Sequence, residues 1–262
     1  MVKRAHIFML LLIIYISALS SILPVFFSPE THVIALQNTY IILAFLIPFG
    51  MYMAVTKQKL SEVLPLKGLS IVNILFIICI TIAAIPATMV ISALSAFIFG
   101  SNVAVFLSEI ISLPAIIVVI SVAFIPSVVE EITFRGIILS DLKQLGKKKS
   151  AVVSGFFFGL IHMDLQQFPY AFLLGIVFAY FVHYTKSILA PMLAHFIINS
   201  FSVFWAYTFV DLDIAADPIS LSDVLISMPM ISALFISIPA FYLAFRQFIL
   251  HNEKNIAEEI EI

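Results

Sequence analysis

Long apolar runs separated by short polar segments set the pattern of this chain. A helix needs about 20 apolar residues to cross a bilayer. The runs predict eight membrane helices, at about 7–27, 33–55, 69–99, 114–139, 151–162, 168–184, 188–209 and 225–248. The fifth is short for a bilayer, so its boundaries are soft. The segment 100–113, with Glu109 among Val, Phe, Leu and Ile, is expected at the interface, and a tail rich in Glu closes the chain. The start resembles a signal peptide, with Lys3-Arg4 and small residues from Ser17 to Ser21. The apolar run continues past that patch to Phe27, which favours a membrane helix. No repeat, low-complexity stretch or second domain is visible, so the chain reads as one all-α transmembrane domain over 1–262.

Composition agrees with this pattern. Of 262 residues, 63% are hydrophobic and 11% are charged, against about a quarter charged in a soluble domain. The expectation is a multi-pass integral membrane protein, in the plasma membrane if the source is prokaryotic. The single Cys79 excludes an intramolecular disulfide, and in an apolar run it is expected to be a buried, inert thiol.

The placement of the charges tests the span count. Lys3, Arg4, Lys57, Lys59, Lys67, Lys143, Lys147, Lys148, Lys149, Lys186, Arg246 and Lys254 fall in alternate loops or at the ends of the chain. The opposite loops carry Glu30, Glu109, Asp164, Asp211, Asp213, Asp217 and Asp223. Under the positive-inside rule both termini are cytoplasmic and the number of spans is even. Lys147-Lys148-Lys149 is then a topology determinant. Dispersed basic residues without a patch argue against a nucleic-acid partner.

Three charged residues do not follow this pattern. Glu130, Glu131 and Arg135 lie inside the fourth span, where a central charge costs about 2.5–3.5 kcal/mol on insertion scales. Of six histidines, His162 and His195 also fall within or at the deep end of spans, whereas His6, His32, His183 and His251 sit at span ends. Counting along helices puts Glu130 and His162 roughly 20 Å, and His195 about 14 Å, from their cytoplasmic loops. Allowing for kinks at Pro126 and Pro191, the three groups can meet at one level. Glu131 and Arg135, four apart, can pair on one helix face, while Glu130 points about 100° away. Asn199 projects from the same face as His195. Polar side chains can also serve only to tie membrane helices together. Apolar residues would do that as well, because a buried charge network is weak evidence for stability.

The ordered set Glu130-Glu131-xxx-Arg135, Phe158-xxx-His162 and His195-xxx-Asn199, on three separate spans, resembles the CPBP family. This family contains the type II CAAX prenyl endopeptidases and bacterial relatives, some linked to bacteriocin self-immunity. The motif-bearing core covers about 114–209. The resemblance implies an intramembrane endopeptidase of the glutamate type, without a cofactor, cutting a peptide below the membrane surface and admitting it from the cytoplasmic side. By that analogy Glu130, aided by His162, activates water, and His195 with Asn199 forms the oxyanion site. Glu131 and Arg135 hold the helix, and Phe158 packs around the site. The implied partners are the bilayer and a peptide or protein substrate, which can be lipidated.

Two alternatives stay open. Glu130, His162 and His195 would also make a two-His, one-carboxylate zinc set with an open fourth position. The protein could equally be a non-catalytic membrane scaffold or immunity factor. A transporter would be expected to show an inverted repeat or paired broken helices, and neither is visible.

Overall fold

A computed structural model describes residues 1–27, 33–100, 103, 106, 109–209 and 228–261. The expectations for Glu30, His32, Asp211, Asp213, Asp217 and Asp223 lie outside the described residues. The described chain is a helical bundle with a single isolated β-bridge, between Leu66 and Ser187.

In chain order the helices are α1 (Val2–Ile22), α2 (Val33–Thr56), α3 (Ile71–Phe99), α4 (115–142), α5 (Gly146–Ile161), α6 (Phe168–Thr185), α7 (Leu189–Phe209) and α8 (Met228–Glu261). Among the described residues, seven helical runs are long and apolar enough to cross a membrane. One of them, Ala115–Ile161, spans 47 residues and contains both the fourth and the fifth expected spans. The chain turns there at Gly146, whose φ of +79° suits a residue without Cβ. This is an integral, multi-pass membrane protein.

Three boundaries and burials differ from expectation. α5 begins at Gly146 and so takes in Lys147, Lys148 and Lys149, which the apolar pattern had left in a loop. α8 runs on through the polar tail to Glu261, because its Glu, Lys and Ala are good helix formers and Lys254 meets Glu258 one turn away at 3.8 Å. Cys79 is exposed on the outer surface of α3, not buried in the protein. An apolar run sets depth in lipid, not which way a given side chain faces.

α4 is the compound element. Two π-helical segments, Val119–Phe124 and Ile132–Ile138, flank the α-helical turns Ile125–Glu131 that carry the two glutamates. Such widened turns interrupt the regular backbone ladder and are frequent at functional sites. Gly136, in the second π segment, lies against the short turn Leu60–Val63: a Cβ there would sit 2.7 Å from Leu64 Cδ2 and 3.2 Å from the Val63 carbonyl.

α5 and α6 approach through glycine. A Cβ on Gly175 would come within 2.7 Å of Gly155 Cα, and one on Gly159 within 2.9 Å of the Phe168 carbonyl. Lipid supplies no hydrophobic drive for helix pairing, so close backbone packing of small residues takes its place. The contact sets the position of His162, at the C-terminal end of α5.

The chain ends meet on one face of the bundle. Arg4 pairs with Asp141 at the end of α4. Lys147 Nζ lies 4.1 Å from the Tyr184 ring centre, and Tyr184 donates to Glu253 at 3.3 Å. Asn252 and Asn73 exchange amide hydrogen bonds of 2.8 and 3.1 Å. Nearby, the Ile188 N–H donates to the Pro65 carbonyl at 2.9 Å.

Candidate functional site

The core of the candidate site is a buried ion pair inside α4. Arg135 Nη1 donates to Glu131 Oε1 at 2.9 Å, and both side chains are fully buried. The second guanidinium nitrogen, Nη2, donates to the Gly175 carbonyl at 3.3 Å. The cation also lies 4.4 Å from the ring centre of Phe158 and 5.2 Å from that of Phe178. A guanidinium can be kept in an apolar bundle only with such compensation from carboxylate, carbonyl and ring faces. The glycine contact between α5 and α6 brings that carbonyl within reach.

Glu131 has a second partner that the spacing of the motifs did not reveal. His195 Nδ1, from α7, lies 3.1 Å from the same Oε1. The His195 ring packs edge-on against Phe158 at 5.6 Å and tilted against Phe178 at 5.5 Å. The His162 ring also stands edge-on to Phe158, at 5.2 Å. His162 Nδ1 contacts the Phe158 carbonyl at 2.7 Å. A carbonyl only accepts, so this nitrogen carries a proton and donates it. Phe158 thus contacts both histidines.

Glu130 stands apart from this network. It is buried, and its Oε2 is without a hydrogen-bond partner. Among the described residues it forms no hydrogen bond or ion pair with either histidine. The 100° rotation between neighbours on a helix separates it from its twin, so Arg135 hydrogen-bonds one carboxylate and not the other. Asn199, one turn beyond His195, donates through Nδ2 to the Val122 carbonyl at 3.2 Å. That carbonyl belongs to the first π segment of α4, where the disturbed ladder leaves it accessible. Asn199 retains a second amide hydrogen.

Sequence reading also missed the loop that follows His162. Met163 adopts φ +49°, a conformation that costs a side-chain-bearing residue energy. Asp164 Oδ1 accepts from the backbone N–H groups of Gln166 at 2.7 Å and Gln167 at 3.2 Å, which opens α6. Gln166 Nε2 reaches Ser92 Oγ on α3 at 2.8 Å. Tyr170, in the first turn of α6, lies within electrostatic range of both Asp164 and Glu130. The stretch Asp164-Leu165-Gln166-Gln167 before an apolar helix was the available signal.

Among the described residues no group of three or more His, Cys, Asp or Glu is close enough to hold a metal ion. Glu130, His162 and His195 therefore do not fit zinc in this arrangement.

Comparison with known proteins falls on the same segment. Residues 111–201 match the family model described as "Type II CAAX prenyl endopeptidase Rce1-like", and this range contains all three motifs. A Bacillus subtilis (strain 168) protein, YdiL, named as a candidate membrane peptidase, is 31% identical over 113 residues. The match covers 41% of this chain and 46% of that relative, so the chain spans about half the length of the curated protein it resembles. No solved structure matches the chain significantly. The family match and the relative both place the similarity on the motif-bearing segment.

Proposed function

We propose that this protein is an intramembrane endopeptidase that hydrolyses a peptide bond below the membrane surface with a glutamate-activated water. The observation that carries the reading is the division of labour between adjacent carboxylates. Glu131 receives Arg135 and His195 on the same oxygen, Oε1, whereas Glu130, buried beside it, forms no side-chain hydrogen bond or ion pair among the described residues. A buried carboxylate left unpaired is costly to a fold and suits a general base.

In this reading Glu130, assisted by His162, takes a proton from water as the water oxygen bonds to the scissile carbonyl carbon. The developing oxyanion faces His195 and Asn199. As the carbon–nitrogen bond breaks, the proton held by Glu130 passes to the departing amine. The separation of Glu130 from the histidines is compatible with this, since catalytic hydrogen bonds are often long before substrate binds. No metal is assigned a part.

The face that gathers Arg4, Lys147 and Lys186 is read as cytoplasmic under the positive-inside rule. The substrate is then a peptide or protein admitted from that side, and the family resemblance allows it to carry a lipid. Purified protein should cleave a fluorogenic peptide, and Glu130→Ala and His162→Ala should each lower the rate by about 10²–10⁴-fold. Full retention by both variants would end this reading.

A further inference from the structure

We propose that Glu131 is a positioning residue for His195: it holds the imidazole in the Nδ1–H tautomer and so turns Nε2 toward the reacting peptide. This rests on the peptidase reading for its use, but its geometry stands independently. Glu131 Oε1 receives Arg135 Nη1 at 2.9 Å and lies 3.1 Å from His195 Nδ1. Arg135 is always a cation and is itself fully buried, so its partner is an ionised carboxylate that can only accept. The proton between Glu131 and His195 therefore sits on Nδ1. Phe158, with an interplanar angle of 87°, and Phe178, with one of 33°, fix the plane of the ring. Nε2 makes no hydrogen bond among the described residues, and with Nδ1 engaged it is the nitrogen left for chemistry.

The tautomer decides what His195 can do. A neutral ring in this state presents a lone pair at Nε2, not an N–H. It can donate to an oxyanion only as an imidazolium, which keeps its Nδ1–H on Glu131. Arg135 is then more than a counter-charge: with its second hydrogen bond to Gly175, it anchors the carboxylate that orients the histidine. A carboxylate that orients a catalytic imidazole by accepting its Nδ1–H has the same role in hydrolytic triads.

The test is nitrogen NMR of protein carrying ¹⁵N-labelled histidine in lipid nanodiscs, at a pH where the ring is neutral, with His195→Gln used to assign the signal. The expected wild-type spectrum has Nδ1 protonated and Nε2 bare. The paired variant Glu131→Ala with Arg135→Met removes both buried charges together, so that no orphan cation remains. It should move the proton to Nε2 and lower kcat by about 10²-fold with KM within about threefold. On a His195→Ala background the same pair should cost less than about threefold more, since a residue acting through His195 has nothing left to act on. A wild-type His195 protonated on Nε2 would overturn the proposal, and needs no variant to fold. So would an unchanged tautomer in the paired variant, or a fully additive loss of kcat. Wild type without hydrolysis would count against the peptidase reading and leave the tautomer result standing.

Discussion

Arg4 donates from both Nε and Nη2 to the carboxylate of Asp141, joining the start of α1 to the end of α4 across 137 positions of chain. The Nε bond is 2.7 Å, Asp141 is fully buried, and Tyr52 donates to the same carboxylate at 3.0 Å. Arg4 keeps 37% side-chain exposure, so solvent weakens its share of the pairing. Asp141→Ala should cost about 1.5–3 kcal/mol, the range for hydrogen bonds to a charged group, and Arg4→Gln less. Thermal unfolding in detergent measures both. The exchange Arg4→Asp with Asp141→Arg should recover part of the loss; equal losses in Arg4→Gln, Asp141→Ala and the exchange would argue against a pairing.

The glycine seam between α5 and α6 gives a sharper steric test. At Gly175 a Cβ would meet Gly155 Cα at 2.7 Å, and backbone cannot rotate away as a side chain can. Gly175→Ala should destabilise by about 1–3 kcal/mol and displace the carbonyl that receives Arg135. Gly50 in α2 has nothing within 4 Å of its would-be Cβ, so Gly50→Ala should be neutral or stabilising by up to about 1 kcal/mol. A Gly175→Ala protein as stable and as active as Gly50→Ala would mean that the helices are not packed this closely.

The role of metal is settled by chemistry on the purified protein. With glutamate chemistry, elemental analysis should find well below one zinc per chain, and peptide cleavage should continue in a chelator. Stoichiometric zinc, with activity lost to the chelator and restored by zinc, would replace glutamate chemistry with metal-assisted hydrolysis. His162 and His195 would then be examined first as ligands, because each binds an oxygen through Nδ1 as metal-ligating histidines usually do.

The sequence disclosed the parts of this arrangement that obey a period. Apolar run length located the spans, and a spacing of four put Glu131 beside Arg135, as the 2.9 Å contact bears out. The same rotation kept Glu130 out of that pair. What spacing could not disclose was contact between helices distant in the chain. The bond from His195 to Glu131 and that from Asn199 to Val122 depend on how α7 packs on α4. Asp141 was overlooked for a related reason. The sequence pattern did not single it out, yet packing of α1 and α2 buries it completely. The π segments of α4 likewise leave no mark in an apolar sequence, because Val, Ile and Phe suit either helix.

The adjacent glutamates should separate function from stability. Glu130 lends the fold no hydrogen bond, so Glu130→Gln, which keeps the shape and removes the charge, should leave thermal stability unchanged or raised. Its peptide cleavage should nevertheless fall by about 10²–10⁴-fold. Arg135→Ala should behave in the opposite order, losing about 3–5 kcal/mol of stability because it strands a buried carboxylate. Thermal melts and turnover measured on the same preparations give the comparison. A Glu130→Gln protein that melts far below wild type would make Glu130 a structural residue. Should it instead complement a deletion as well as wild type does, the biological role would not need catalysis, and the membrane-scaffold alternative would take its place.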